Sequence, residues 1–278
     1  MAAAPGPDST RGERAAVRPG NSAVGFLHPH YGAPARPPTD ELPAIGDIRA
    51  IRLRFTLQIR FSESAVKLYD APRAPNPRRV RIFLAEKGID LPREEIDILA
   101  GENLDPDFLA ISPRGLLPVL VLDDGTVIDE TIAICRYFEE SCPNPPLMGT
   151  DPLSRAQVER WQRIVEFDAG TAVADAFRNT YPAYSNRAVA GRSGDAAIPE
   201  LAARGRSRLG AFYDLLERHL ADSDDAAPMI AGPAYTVADI TALCILDFAR
   251  ALKLGYGDDR PHLARWHANV RARPSSRA

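Results

Sequence analysis

The sequence predicts an α/β domain followed by an all-helical one. Three observations point there. Short strand-like runs alternate with helical spacing as far as about residue 146. A proline-rich linker, Cys142-Pro-Asn-Pro-Pro, comes next, and no strand signal reappears after it. Before that linker, residues 112–140 (S-P-R-G-L-L-P-V-L-V-L-D-D-G-T-V-I-D-E-T-I-A-I-C-R-Y-F-E-E) read strand, tight turn, strand, helix. A chain of 278 residues has room for two domains of ordinary size.

Residues 1–44 are rich in Pro, Gly, Ala and Arg without sustained periodicity, which predicts disorder. No apolar core follows the early charges, so a signal peptide is not expected. Residues 51–61, I-R-L-R-F-T-L-Q-I-R-F, alternate throughout and read as an extra strand or an amphipathic segment. The compact fold is expected to begin at Val66, with residues 1–65 as a leader.

The first domain is placed at 66–146. Val66-Lys67-Leu68-Tyr69 is a strand ended by Asp70-Ala71-Pro72. Residues 78–87 read as a helix, with Gly88 suited to its C-terminal cap. Residues 94–98 are a second strand, and 105–111 a short helix opened by Asp105-Pro106. Val119 to Leu122, the turn Asp123-Asp124-Gly125, and Thr126 to Ile128 form a hairpin headed by Pro118, which cannot donate to a ladder. A cis Leu117-Pro118 bond would turn the Leu117 backbone toward a ligand. Glu130 and Thr131 open the helix 130–141, where free N–H groups and the dipole favour an anion. The order β-α-β-α-β-β-α, with a proline heading the third strand, matches the thioredoxin-like layout.

The second domain is placed at 151–278 and reads as helices only. Residues 154–179 carry Val158, Trp161, Ile164, Val165 and Phe167 at helical spacing. Further helices are expected at 199–220, 237–254 and 262–273, the last ended by Pro274. Thr236-Val-Ala-Asp239 has the form of a capping box, read as a structural device.

Composition narrows function. Hydrophobic content of 45%, charged content of 26% and a net charge of −3 are those of a soluble globular protein. No basic stripe stands out, which argues against nucleic acid as a partner. No apolar stretch approaches a membrane span. Cys135, Cys142 and Cys244 are too few and too scattered for a disulfide framework or a zinc site, so no metal and a reducing cytoplasm are expected. The run Arg78, Arg79, Arg81 reads as a solvated helix face. His28 and His30 are too isolated to hold a metal.

Four ordered motifs carry a resemblance that covers 66–278: Y-D-A-P-R-A-P-N-P-R-R-V-R-I-F-L-A-E-K-G from Tyr69, the Leu117-Pro118 turn, the Glu130-Thr131 pair, and Thr236-Val-Ala-Asp239. Together they resemble the cytosolic glutathione S-transferases. The resemblance implies a homodimer with glutathione as co-substrate, held mainly in the first domain, and a pocket between the domains for a small hydrophobic electrophile. By position, the Leu117 backbone would pair with the cysteinyl part of glutathione, beside Pro118. Glu130 and Thr131 would hold the γ-glutamyl end. Asn103 falls where some members bind the glycyl carboxylate, whereas Leu116 falls where many place a lysine for it; Arg114 is a candidate substitute.

Activation of the sulfur is harder to place. Conjugation needs the thiolate, and many members supply a Ser, Cys or Tyr for it near the end of the first strand. Position 74 is alanine, and no residue from 70 to 77 offers a hydroxyl or thiol. Tyr69 lies inside the strand and reads as packing. The chain therefore resembles a fungal and bacterial subgroup that lacks the usual side chain and relies on the first helix N-terminus and a water held by the second domain. Asn76 and Asn179 are the polar helpers this implies, although Asn76 also suits a plain helix N-cap.

Overall fold

The computed structural model describes residues 59–60 and 66–278. The readings for residues 1–58 and 61–65, including His28 and His30, lie outside the described residues. Within the alternating 51–61 segment, β1 (Ile59–Arg60) pairs in parallel with β3 (Ile89–Asp90).

The first domain runs β2 (Lys67–Asp70), α1 (Pro75–Lys87), β3, β4 (Arg93–Glu95), α2 (Pro106–Ile111), β5 (Val119–Val121), β6 (Val127–Asp129) and α3 (Thr131–Ser141). The main sheet has the order β4-β2-β5-β6, with β4 parallel to β2 and the other neighbours antiparallel. This is the predicted thioredoxin-like domain. Leu68, Val80, Phe83, Leu84, Leu120, Ile134 and Phe138 form its core.

In the first domain, two boundaries move by three residues from expectation. The first helix begins at Pro75, three residues before the predicted 78, because a proline's fixed φ suits the first helical position. The strand predicted at 94–98 is Arg93–Glu95. Asp97 ends it early by folding a turn, its carboxylate accepting from the N–H groups of Leu99 and Ala100.

The second domain is helical: α4 (Pro152–Ile164), a π-helical turn (Val165–Gly170), α5 (Thr171–Arg178), α6 (Pro199–Ala221), α7 (Val237–Ala251) and α8 (Pro261–Arg271). The predicted long helix is thus one run interrupted by a π turn. An extra residue in that turn rotates the rest of the helix about its axis. Phe167, predicted on the buried face, is 58% exposed, while Val165 is fully buried. Thr236 and Asp239 close the capping box. Asp239 also accepts from the Ile230 N–H and from Trp266 Nε1, so it nucleates the buried helix α7.

The solvated face predicted for Arg78, Arg79 and Arg81 is overturned. Arg79 and Arg81 are buried, and each of the three pairs with an acid: Arg78 with Asp247 at 2.9 Å, Arg79 with Glu166 at 2.6 Å, Arg81 with Asp70 at 2.6 Å. The acids are scattered through both domains, so spacing within the first helix could not reveal them. Among the described residues, no helix is long and apolar enough to cross a membrane.

Candidate glutathione site

The first strand ends in the turn Ala71-Pro72-Arg73-Ala74, which delivers the chain to the N-terminus of α1. Ala74 is the N-cap and offers no side-chain cap. Asn76 is therefore not the cap; it lies inside the first turn and is exposed. Helix N-termini favour anions through unpaired N–H groups. Here Pro75 and Pro77 lack that group, and the Ala74 N–H is spent on the Ala71 carbonyl at 2.9 Å. The Asn76 N–H is thus the one main-chain donor in this first turn without a partner among the described residues.

The Asn76 side chain has a defined orientation. Its Oδ1 accepts from Arg79 Nη1 at 3.1 Å, and a guanidinium can only donate, so the amide Nδ2 faces the other way. Arg79 is itself held. Its Nη2 donates to Glu166 in the π turn at 2.6 Å, and its Nε to Thr241 of α7 at 3.0 Å. Thr241 Oγ1 in turn donates a hydrogen bond to Gln162 Oε1 at 2.9 Å. A buried chain from the second domain thereby fixes an amide donor at the mouth of α1.

Leu117-Pro118 is cis. Among the described residues, neither the N–H nor the C=O of Leu117 has a main-chain hydrogen-bond partner. Glu130 follows β6 with φ 67 and ψ 123, the left-handed side that non-glycine residues avoid. Its carboxylate accepts from Arg114 Nη1 at 2.6 Å, and Asp129 accepts from the same nitrogen at 3.2 Å. Arg114 is committed to this acidic pair, which removes it as a substitute for a lysine at Leu116. Thr131 begins α3 and is buried.

Two predicted site residues are placed differently. Asn103 is buried, and its Nδ2 donates to the Gly115 carbonyl at 2.8 Å, so the amide is turned inward as a brace and not outward to a carboxylate. Asn179 ends α5: its Nδ2 donates to the Asp175 carbonyl at 2.9 Å and its Oδ1 accepts from the Ile198 N–H at 2.8 Å. Both amide atoms of Asn179 are spent inside the second domain, so it acts as a staple and not as a polar helper.

Burial excludes two of the three thiols as nucleophiles: it pushes Cys135 and Cys244 up to about 12 and keeps them protonated near neutrality. Tyr69 packs edge-on to Phe108 with ring centroids 5.8 Å apart, the structural role expected of it. Among the described residues there is no group of three or more His, Cys, Asp or Glu that could hold a metal ion.

A cavity of about 180 Å³ at the end of α5 is lined by Ala176, Phe177, Thr180, Tyr181, Leu252 and Leu254, with Arg206 at its edge. Phe177 also packs on Tyr184 and on Phe248 of α7, with centroids 5.1 Å apart in each case. A larger, open and polar depression of about 760 Å³ lies between α1, the sheet and the chain's last residues. Its Arg81 and Asp70 already satisfy each other, so it carries no assignment.

A thioredoxin-like domain with a cis-proline turn, joined to a helical domain, is the two-domain architecture that the resemblance implied. Comparison with known proteins makes the family explicit. Residues 74–141 match the glutathione S-transferase N-terminal domain model and residues 180–274 the glutathione S-transferase C-terminal domain model. Glutathione S-transferase 2 of Saccharomyces cerevisiae is 31% identical over 217 residues, covering 75% of this chain and 86% of that protein. Glutathione S-transferase 3 of Zea mays is 33% identical over 219 residues, covering 76% and 90%. The crystal structure of a glutathione S-transferase domain-containing protein from Marinobacter aquaeolei superposes with a TM-score of 0.68 at 33% identity, covering 75% of this chain and 98% of that one. The chain belongs to the glutathione S-transferase family.

Proposed function

We propose that the protein is a homodimeric enzyme that adds the thiolate of glutathione to small hydrophobic electrophiles, in the manner of members without a catalytic Ser, Tyr or Cys. The observation that carries this reading is the N-terminus of α1. There the Asn76 N–H and the Nδ2 turned away from Arg79 are donors two residues after Ala74, beside the positive end of the helix dipole, which supports thiolate stabilisation without a hydroxyl. These donors favour the charged form of a thiol, which loses its proton to solvent. The sulfur then forms a C–S bond to the electrophilic carbon while the carbon–halogen bond of an aryl halide breaks and halide leaves. The free Leu117 backbone, Glu130 and Thr131 would hold the tripeptide, and the aromatic-lined cavity by Phe177 and Tyr181 suits an apolar co-substrate.

Asn76→Ala tests the assignment. It removes the side-chain donor and keeps the main-chain one, so it should cut kcat for a generic aryl halide roughly 100-fold, the scale of one lost donor to a developing charge, and raise the thiol pKa of bound glutathione. The glutathione KM should change little. Wild-type protein that retains glutathione but shows no rate above background would favour the second reading, a binding protein without turnover. The alanine at position 74 keeps that reading in view.

A further inference from the structure

Residues 181–198 leave α5, return to the first domain and come back to α6. The excursion is built, not loose. The Arg187 carbonyl accepts from Arg178 Nη1 at 3.1 Å, the Ala188 N–H donates to the Asp195 carbonyl at 3.0 Å, and Asn179 staples Ile198. Its tip is pressed onto the first domain at Gly115. A Cβ at Gly115 would lie 2.8 Å from the Gly191 carbonyl oxygen, and one at Gly191 would run into the Arg114 carbonyl and the Leu116 side chain.

Arg187 is the chemistry-bearing residue of this excursion. It is half-buried, and its Nη2 donates to the Ile98 carbonyl at 2.8 Å and to Asn103 Oδ1 at 3.4 Å. Arg178 and Arg187 both lie over the Tyr184 ring, at 4.7 and 5.6 Å from its centroid. Neither has a carboxylate at ion-pair distance among the described residues, and Arg192, which shares the loop, takes Asp195 for itself. Burial first, with repulsion from Arg187 adding to it, holds the Arg178 pKa below its ordinary value. Two adjacent, half-buried guanidinium groups without a counter-charge are unfavourable unless an anion joins them. The Nε and Nη1 donors of Arg187 have no partner among the described residues, so a planar carboxylate can be received there.

We propose that Arg187, backed by Arg178, is the cationic anchor for the glycyl carboxylate of glutathione, supplied by the second domain because the first has Leu116 at that end. This rests on the glutathione reading above. Asn103 and Gly115, which Arg187 adjoins through Asn103, stand at the entry to the Leu117-Pro118 turn where the cysteinyl backbone would pair. The glycine is the next residue of the tripeptide, and one extended residue spans only about 3.5 Å.

The test compares glutathione with its glycyl monoethyl ester, which lacks that negative charge, by calorimetric titration of wild type, Arg187→Gln and Arg187→Lys. Arg187→Gln should weaken glutathione roughly 10–100-fold, the range of a lost charge-assisted pair. It should leave the ester affinity near its wild-type value, and Arg187→Lys should recover part of the loss. Thermal melts of each variant confirm that the fold is kept. Arg187→Gln binding glutathione as wild type does, or losing both ligands equally, would overturn the proposal alone. Wild-type protein that binds neither ligand would overturn the glutathione reading and the proposal together.

Discussion

Glu130 is the residue at which binding and stability pull apart. Its φ of 67 places a β-carbon-bearing residue on the left-handed side, at a cost of about 1–3 kcal/mol. Its exposed ion pair with Arg114 returns little, since such pairs contribute about 0–1 kcal/mol. A residue held against its own backbone preference at a helix start is the kind of outlier that a ligand contact would explain. Glu130→Gly relieves the strain, so the variant should melt no lower than wild type while binding glutathione at least several-fold more weakly. Lower stability together with unchanged affinity would remove Glu130 from the site. Neither the strain nor the Arg114 pair was legible in the sequence, whereas Thr131 and the cis Leu117-Pro118 turn were placed by motif alone. Asn179 misled for a reason of its own. An amide near the end of a helix can cap, staple or catalyse, and only its partners, Asp175 and Ile198, decide which.

Among elements, the 181–198 excursion is the one that periodicity could not supply. It has no regular structure beyond the single turn Pro182–Tyr184, and its contacts with Asn103 and Gly115 span large sequence separations. The main-sheet strands and the α-helices, by contrast, were readable from apolar spacing and proline placement, whereas the two-residue strand β3 was not. The π turn escaped because it changes the register by one residue without changing composition. The close approach at Gly191 gives the excursion a direct test. At φ 77, Gly191→Ala meets both a conformational penalty of about 1–2 kcal/mol and the Arg114 carbonyl. Gly194, at φ 96 with nothing within 4 Å of an added Cβ, meets the penalty alone. Hydrogen exchange over 181–198 should therefore accelerate clearly in Gly191→Ala and little in Gly194→Ala. Equal acceleration would mean that the tip is not docked.

For the whole molecule, the charges crossing between domains set the response to acid. Burial pushes the Asp247 carboxyl upward, but hydrogen bonds from His267 and Arg78 outweigh it and bring it down to about 2. A carboxyl depressed in the folded state contributes stability that is present above its unfolded pKa and lost as pH falls through the folded value. The depression from 3.8 to about 2 corresponds to roughly 2 kcal/mol. In denaturant titrations the stability gap between wild type and Asp247→Asn should be largest near neutrality and should narrow as pH falls from about 5 toward 2. A gap of constant size across that window would show that Asp247 does not titrate with folding.

Helix α1 sends Arg78 to Asp247, Arg79 to Glu166 and Thr241, and Glu86 to Arg273 and Ser275, all in the second domain. The two domains differ in class, yet the helix that would present the sulfur is stitched to its neighbour by charged side chains along its whole length. Anyone recombining this chain with a relative at the 142–151 linker would strand each of those charges against a foreign surface. For these interdomain pairs the natural unit of exchange is α1 together with the π turn, α7 and the C-terminal segment, and moving those pieces as one keeps each of them intact.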